Sequence, residues 1–408
     1  MKKYLKMILI SIIVLLIAIL GYFIYQDYRI KHAKIKVELI DDLDIEVYSD
    51  IKLKDLIKSI NGKLINNKKI KTDKLGKQEI KFKYINEEKL KVSYSFKIKI
   101  VDKTKPYITG PSSVTFYKNS SKNIEDKFFC GDNYDNKPNC EVIGQYNINE
   151  VGSYNLEFKG QDSSDNISTQ KFVLNVIENN NSENKDTSND NEEINTNSGT
   201  VTYFTDIINN YKNKNTKIGI DVSKWQGDID FKKLKEAGVE FAFLRVGVQT
   251  EIDGNYYLDT KFERNIKGFN EAKIPVGVYF YTKVSNKKEA KKQAKWVIKQ
   301  IKNYKVDLPL VFDWENWDEY KNYNLSFYSL TNLYETFKKE VNKKGYKSML
   351  YSSKYYLENI WYKTDSIWLA HYTNQTDYKG KYKVWQLCDD GIIDGINNKR
   401  VDIDIMYK

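Results

Sequence analysis

From residue 216 to residue 408 the chain alternates short apolar runs with polar or amphipathic stretches, and this alternation limits the fold more than any other feature. Eight runs have the length and composition of strands, at 217–223, 241–248, 275–282, 308–315, 348–353, 366–372, 383–388 and 401–407. Helical stretches fit between the early ones. Asp230 stands where an N-cap is needed before FKKLKEA, which stops at Gly238. Residues 259–273 and 286–303 have helical patterns, and 326–344 is a long one ended by Gly345. Parallel strands need crossover connections, usually helical. After residue 366 the gaps shrink to 10–12 residues, too short for comfortable crossover helices. The expected fold is a shortened α/β barrel, with five strand–helix units followed by three nearly helix-free strands. A full eightfold barrel would take roughly 250 residues.

Chemistry in such barrels gathers at the carboxyl ends of the strands. The fourth run, LPLVFDWE, ends in two acids one residue apart. Side chains alternate along a strand, so Asp313 and Glu315 project together and Trp314 projects oppositely. Two carboxylates that close cannot both ionise cheaply, so one of them is expected to hold a proton. A carboxyl kept protonated at neutral pH is a general acid. The other strand ends supply Asp221, with Gln226 just beyond it, and Arg245. They also supply Tyr279 and Tyr281 on one face, Tyr351, His371 with Tyr372, Trp385 with Gln386, and finally Asp402 and Asp404. Arg245 is expected to be a structural charge partner and His371 to make a structural hydrogen bond, and no catalytic role is expected of Asp404.

The rest of the chain reads as separate domains. Residues 7–25 are an uncharged apolar run, preceded by Lys2, Lys3 and Lys6. As a helix it spans roughly 28 Å, the thickness of a bilayer core. Tyr22 and Tyr25 fall where an interfacial aromatic belt would lie. No small-residue cleavage site follows, so an uncleaved signal anchor is favoured over a removed signal peptide. Residues 35–178 look all-β and contain a repeat. The segment 75–102, LGKQEIKFKYINEEKLKVSYSFKIKIVD, overlays 151–178, VGSYNLEFKGQDSSDNISTQKFVLNVIE, without a gap. Each half alternates apolar and polar residues over two strands joined by a polar turn, a terminal hairpin. Two tandem β-sandwich modules follow, acting as a spacer or, less simply, as a ligand-binding pair. Residues 179–200, NNNSENKDTSNDNEEINTNSGT, carry one large apolar residue and cannot bury enough surface to order themselves. The organisation is then 1–34 anchor and juxtamembrane segment, 35–103 and 104–178 the two modules, 179–215 flexible polar linker, and 216–408 barrel.

Two resemblances sharpen this. The segment VGSYNLEFKGQDSSDN resembles bacterial immunoglobulin-like modules of surface proteins. In the barrel, DVSKWQG, FDWE, IWLAHYT, VWQL and VDIDI occur in that order, and together they resemble the glycoside hydrolase family 25 lysozymes, the Chalaropsis-type muramidases. The resemblance implies a (β/α)5(β)3 barrel and cleavage of the β-1,4 bond from N-acetylmuramic acid to N-acetylglucosamine in peptidoglycan. It implies Glu315 as proton donor, Asp313 as the second acid of the pair, and Asp221 and Asp402 as two further acids around the cleft. Substrate contacts are expected from Gln226, Tyr279, Tyr281, Tyr351, Tyr372, Trp385 and Gln386. Acetamido-assisted, direct-water and covalent routes all stay open. One departure is Phe280, where the family often has a His between the strand-three aromatics, and alternation turns it away from Tyr279 and Tyr281.

Composition narrows the partners. The net charge is +11, which suits attraction to anionic wall polymers. No basic stripe, zinc-finger spacing or RNP-type motif accompanies it, so nucleic acid is not an expected partner. Two histidines and three cysteines do not assemble a zinc site or a His-based triad, and no metal or cofactor is expected. Cys130 and Cys140 enclose a short polar loop and can bridge in an oxidising compartment, whereas Cys388 sits in an apolar context. The expected partners are peptidoglycan strands and the cytoplasmic membrane, with the C-terminal domains outside. The rival readings are a non-catalytic wall-binding protein and a hydrolase of another N-acetylated glycan.

Overall fold

The computed structural model describes residues 2–179, 201–250, 254–362, 364–397 and 399–408. The polar stretch 179–200 lies almost wholly outside them. The chain divides into two compact units, Met1–Lys103 and Thr104–Lys408.

The first unit opens with the helix Lys2–Lys31, whose apolar side chains are exposed along its length. A two-stranded antiparallel sheet, Val37–Leu39 with Ile57–Ile60, follows. A four-stranded sheet runs in the order Asp44–Glu46, Lys91–Val101, Gly76–Asn86, Gly62–Leu64. Its long hairpin pairs Gly76 with Ile100 and Phe82 with Tyr94. Strict alternation buries Ile80, Phe82 and Tyr84 on one face.

The second unit starts with a β-module of the same strand order. Tyr107–Thr109 pairs with Phe129–Gly131, and a four-stranded sheet runs Ser113–Tyr117, Ile167–Ile177, Gly152–Gln161, Asn139–Ile143. In both modules the first strand of the larger sheet is parallel to the last. The repeat visible in the sequence is therefore a repeat of topology. A disulfide joins Cys130 to Cys140 and ties the two sheets of this module together.

The remainder closes on itself. Numbered within this domain, the strands are β1 Thr216–Val222, β2 Phe241–Gln249, β3 Val276–Thr282, β4 Leu310–Trp314, β5 Ser348–Ser353, β6 Ile367–Ala370, β7 Val384–Ile392 and β8 Val401–Tyr407. The strands β1 to β7 pair in parallel in sequence order, and β8 lies antiparallel between β7 and β1, completing a barrel-like ring. Helices α1 Phe231–Glu236, α2 Phe262–Glu271, α3 Lys287–Ile301, α4 Phe327–Asn342 and α5 Lys354–Asn359 follow the first five strands in turn. No helix separates β6, β7 and β8 among the described residues. The caps are local and legible. Asp230 accepts the amides of Lys232 and Lys233, Asn286 that of Glu289, and Ser326 that of Ser329.

The lumen is packed, not open. Phe241, Phe243, Val311, Met349, Trp368 and Val384 form a cluster of inward side chains. Gly219 and Gly277 make room for it. A Cβ on Gly277 would sit 2.3 Å from the Phe243 ring, and one on Gly219 2.5 Å from the Phe241 carbonyl oxygen. One expectation is corrected here. Residues 202–211 do not belong to a flexible linker. Thr202–Tyr203 pairs with the end of β7, and the helix Phe204–Tyr211 buries Phe204 and Ile207 in the barrel core. Those two apolar residues supply the burial that 179–200 lacks.

Candidate active site

The four acids singled out in the sequence meet at one mouth of the ring. Asp221 lies near the end of β1, and Asp313 lies one residue before the end of β4. Glu315 follows β4 directly and is exposed. The strand β8 runs the other way, so Asp402 near its start reaches the same mouth, in register with Asp221. All four line one cavity of about 190 Å³, together with Arg245, Tyr279, Tyr281, Tyr351, Trp368 and Gln386. This cavity opens on both sides. Glu315 and Tyr351 also line a neighbouring hollow of about 450 Å³ with Trp317, Tyr356 and Tyr372. Arg245 and Tyr281 also line another of about 680 Å³ with Lys224, Trp225 and Lys283. A groove thus crosses the acid cluster from end to end.

Burial sets the charge state of these groups. Removal from water pushes the Asp313 carboxyl well above its ordinary range, and the charge of Glu315 pushes it further. The pair expected to share one proton therefore keeps it on its deeper member. Asp221 is raised by burial and then by Asp404. Asp402 is raised to about 9 by burial and then by Asp221. Asp404, fully buried, is raised by burial and then by Asp402, although the Trp368 indole donates to it at 2.8 Å. Four carboxyl groups at one mouth, three of them buried or nearly so, cannot all carry charge.

A single amide fixes Asp221. Gln386 Nε2 donates to Asp221 Oδ2 at 2.8 Å. The hydroxyls of Tyr351 and Tyr372 donate to Gln386 Oε1 at 2.8 and 3.3 Å. Arg245 forms a 2.8 Å ion pair with the buried Asp259, the structural partnership expected of it. His371 Nδ1 lies 2.8 Å from Thr376 Oγ1. Phe280 is buried on the outer face against Tyr256 and Trp296.

Two expected substrate contacts are placed differently. Gln226 caps the turn after β1. Its Oε1 accepts the Ser223 amide at 2.8 Å, and its Nε2 donates to the Arg400 carbonyl at 3.0 Å. Trp385 points out of the ring, buried in the outer core, with its indole donating to the His371 carbonyl at 2.8 Å. Adjacent residues on a strand face opposite ways, so Trp385 and Gln386 could not both look into the cleft. Gln386 does line the cavity, but its amide is engaged with Asp221 and two tyrosines. Tyr279, Tyr281, Tyr351 and Tyr372 all line the groove. Three tryptophans were missed. Trp225 is 64% exposed at one end of the groove, with the Lys224 ammonium 4.6 Å from its ring centre. Trp317 stacks on Tyr356 at 3.8 Å at the other end. Trp368 floors the cavity. Trp225 lies inside the DVSKWQG motif, so position along the chain was a usable signal for it. Trp368 lies inside IWLAHYT, so the same signal was open for it, and none in the chain distinguished Trp317 from a core tryptophan.

Residues 220–396 match the family model described as glycosyl hydrolases family 25. The uncharacterized protein YegX of Escherichia coli O157:H7 is 30% identical over 198 residues, which cover 46% of this chain and 68% of that protein. The chain belongs to glycosyl hydrolase family 25. The autolytic lysozyme of Clostridium acetobutylicum is 23% identical over 190 residues, 46% of this chain and 54% of the lysozyme. A solved family 25 glycosyl hydrolase from Bacillus anthracis superposes with a TM-score of 0.40 at 24% identity, covering 48% of this chain and 92% of its own. The chain spans 65% of the length of YegX from Escherichia coli K12. The family match ends before β8, so the place of Asp402 beside the other acids rests on the geometry alone.

Proposed function

We propose that this family 25 domain is an N-acetylmuramidase that cuts the β-1,4 bond between N-acetylmuramic acid and N-acetylglucosamine in peptidoglycan. What supports this reading is the convergence of Asp221, Asp313, Glu315 and Asp402 on one cavity in the middle of a groove open at both ends. A groove of that form suits an internal bond of a long polymer better than a small sugar. In this reading Glu315 protonates the departing glycosidic oxygen and then takes the proton of the attacking water. Asp313 and Glu315 are neighbours at the end of β4, and the charge of Glu315 acts on Asp313, so its proton can pass to the exposed member of the pair. The carboxylate left on Asp313 then orients the substrate's 2-acetamido group for attack on the anomeric carbon, which needs no enzyme nucleophile. Tyr281 and Tyr372 offer aromatic faces to the sugars on either side.

The finer architecture belongs to the same proposal. The barrel is of the (β/α)5(β)3 type, the two β-modules are immunoglobulin-like, and the helix Lys2–Lys31 holds the chain in the cytoplasmic membrane with the barrel on the wall side. The test is clearing of purified walls by the full chain in detergent, compared with Glu315→Gln. Loss of a positioned general acid lowers the rate about 100- to 10,000-fold. New muramic acid reducing ends mark a muramidase. N-acetylglucosamine ends, or equal clearing by the variant, would overturn the assignment.

A further inference from the structure

Outside the barrel's mouth, the second β-module holds two buried carboxylates without a cationic partner. Asp132 is fully buried, and Asp162 is 6% exposed. Carboxylate oxygens of the two lie within 4.8 Å of each other. Asp132 Oδ1 accepts the amides of Tyr134 and Asp135 at 2.8 and 2.7 Å. Asp162 Oδ1 accepts the amides of Ser164 and Asn166, both at 2.8 Å. Asp132 thus closes its turn with one oxygen, whereas Asp162 uses both, its Oδ2 accepting the Asn166 side-chain amide at 2.7 Å. The other oxygen of Asp132, Oδ2, is enclosed and has no hydrogen-bond partner. Among the described residues no lysine, arginine or histidine forms an ion pair with either acid. An enclosed carboxylate oxygen facing a second buried carboxylate is costly unless a cation or a proton lies between them.

We propose that Asp132 and Asp162 hold a divalent cation of calcium size. Calcium takes carboxylate and carbonyl oxygens at about 2.3–2.6 Å in a flexible arrangement, so two oxygens within 4.8 Å of each other can both reach one ion. The smaller magnesium ion needs a tighter, octahedral set. The cation would also fasten the module to the barrel. The same loop, 131–136, caps helix α4. The Asp132 carbonyl accepts the Phe327 amide at 2.8 Å, and Asn136 Oδ1 accepts the Ser326 amide at 2.9 Å. Gly131 lets the Phe327 ring close over it, since a Cβ there would come within 2.5 Å of that ring. Phe129 packs on Tyr320 at 5.2 Å, and Lys321 pairs with Asp126. Tyr320 and Lys321 belong to the connection from β4 to α4, which begins at Glu315. Fixing the loop therefore stiffens the edge of the segment that carries the acid.

The test uses the full chain in detergent, stripped with EDTA at pH 7. Titration with calcium chloride by calorimetry is expected to show one saturable site. A calcium concentration about 100-fold above its dissociation constant is expected to raise the melting temperature by about 5 °C. D132N is expected to lose that rise while melting, in EDTA, no lower than the EDTA-treated wild type, because it removes a buried charge. No heat and no shift in the wild type would mean that a shared proton fills the gap, and would overturn the proposal. So would an undiminished shift in D132N, or equal stabilisation by magnesium. Should D132N not fold, the wild-type titration alone decides.

Discussion

At the scale of the residue, the candidate site is a problem of proton placement. Alternation along β4 was enough to put Asp313 and Glu315 on one face, but not to say which one holds the proton. Depth decides that, because desolvation acts hardest on the buried member. Asp402 gives a measurable consequence. Its folded carboxyl titrates at about 9 and its unfolded one in the ordinary range near 3.8. Between those values the folded barrel holds a proton that the unfolded chain has released. Stability is therefore full below the unfolded value and falls as pH rises toward 9. Asp402→Asn cannot lose that proton, so its stability should fall less steeply from pH 6 to pH 8, by up to about 1.4 kcal/mol per pH unit. All seven tryptophans lie between residues 216 and 408, so urea unfolding followed by tryptophan fluorescence reads the barrel selectively. Equal slopes in wild type and variant would mean that Asp402 ionises as an ordinary surface acid.

At the scale of the element, the sequence was most legible where the physics is local. The eight strands, the first four helices and the cap Asp230 follow from periodicity and from side chains that satisfy the first amides of a helix. Gln226 and Trp385 were misplaced for different reasons. Gln226 bonds the carbonyl of Arg400, a partner distant in sequence and near only in the fold. Trp385 faces outward through the same alternation that turns Gln386 inward, a fact available from the strand itself. The lumen offers an element-scale prediction. Gly277→Ala forces a methyl group against the Phe243 ring and the neighbouring backbone, where the packed cluster cannot give way. Overpacking of this kind should destabilise the barrel by about 1–3 kcal/mol, read as a lower urea midpoint. An unchanged midpoint would show that the lumen has room to shift.

Over the whole molecule, each unit holds its parts by different means. In the second unit the β-module is docked on the barrel through the cap of α4 and a hydroxyl–hydroxyl bond of 2.7 Å between Tyr107 and Tyr355. The module is thus more than a spacer before a separate enzyme. In the first unit the helix Lys2–Lys31 is long and apolar enough to cross a membrane, and the proposed anchor has a direct test. The full chain should sediment with membranes and resist high-salt extraction, whereas a form lacking residues 2–31 should be soluble. Release of the full chain by salt alone would rule out an integral anchor.

The eight strands of the ring, most of its helices, the repeat of the two β-modules and the acids could be read from the chain alone, because periodicity and capping are properties of neighbouring residues. Which of those acids keep their protons, which glutamine braces Asp221, and the closeness of Asp132 and Asp162 beside the cap of a distant helix emerge only in the folded chain. These depend on burial and on contacts between segments far apart in the chain, and closure of the ring and packing of the sheets supply both.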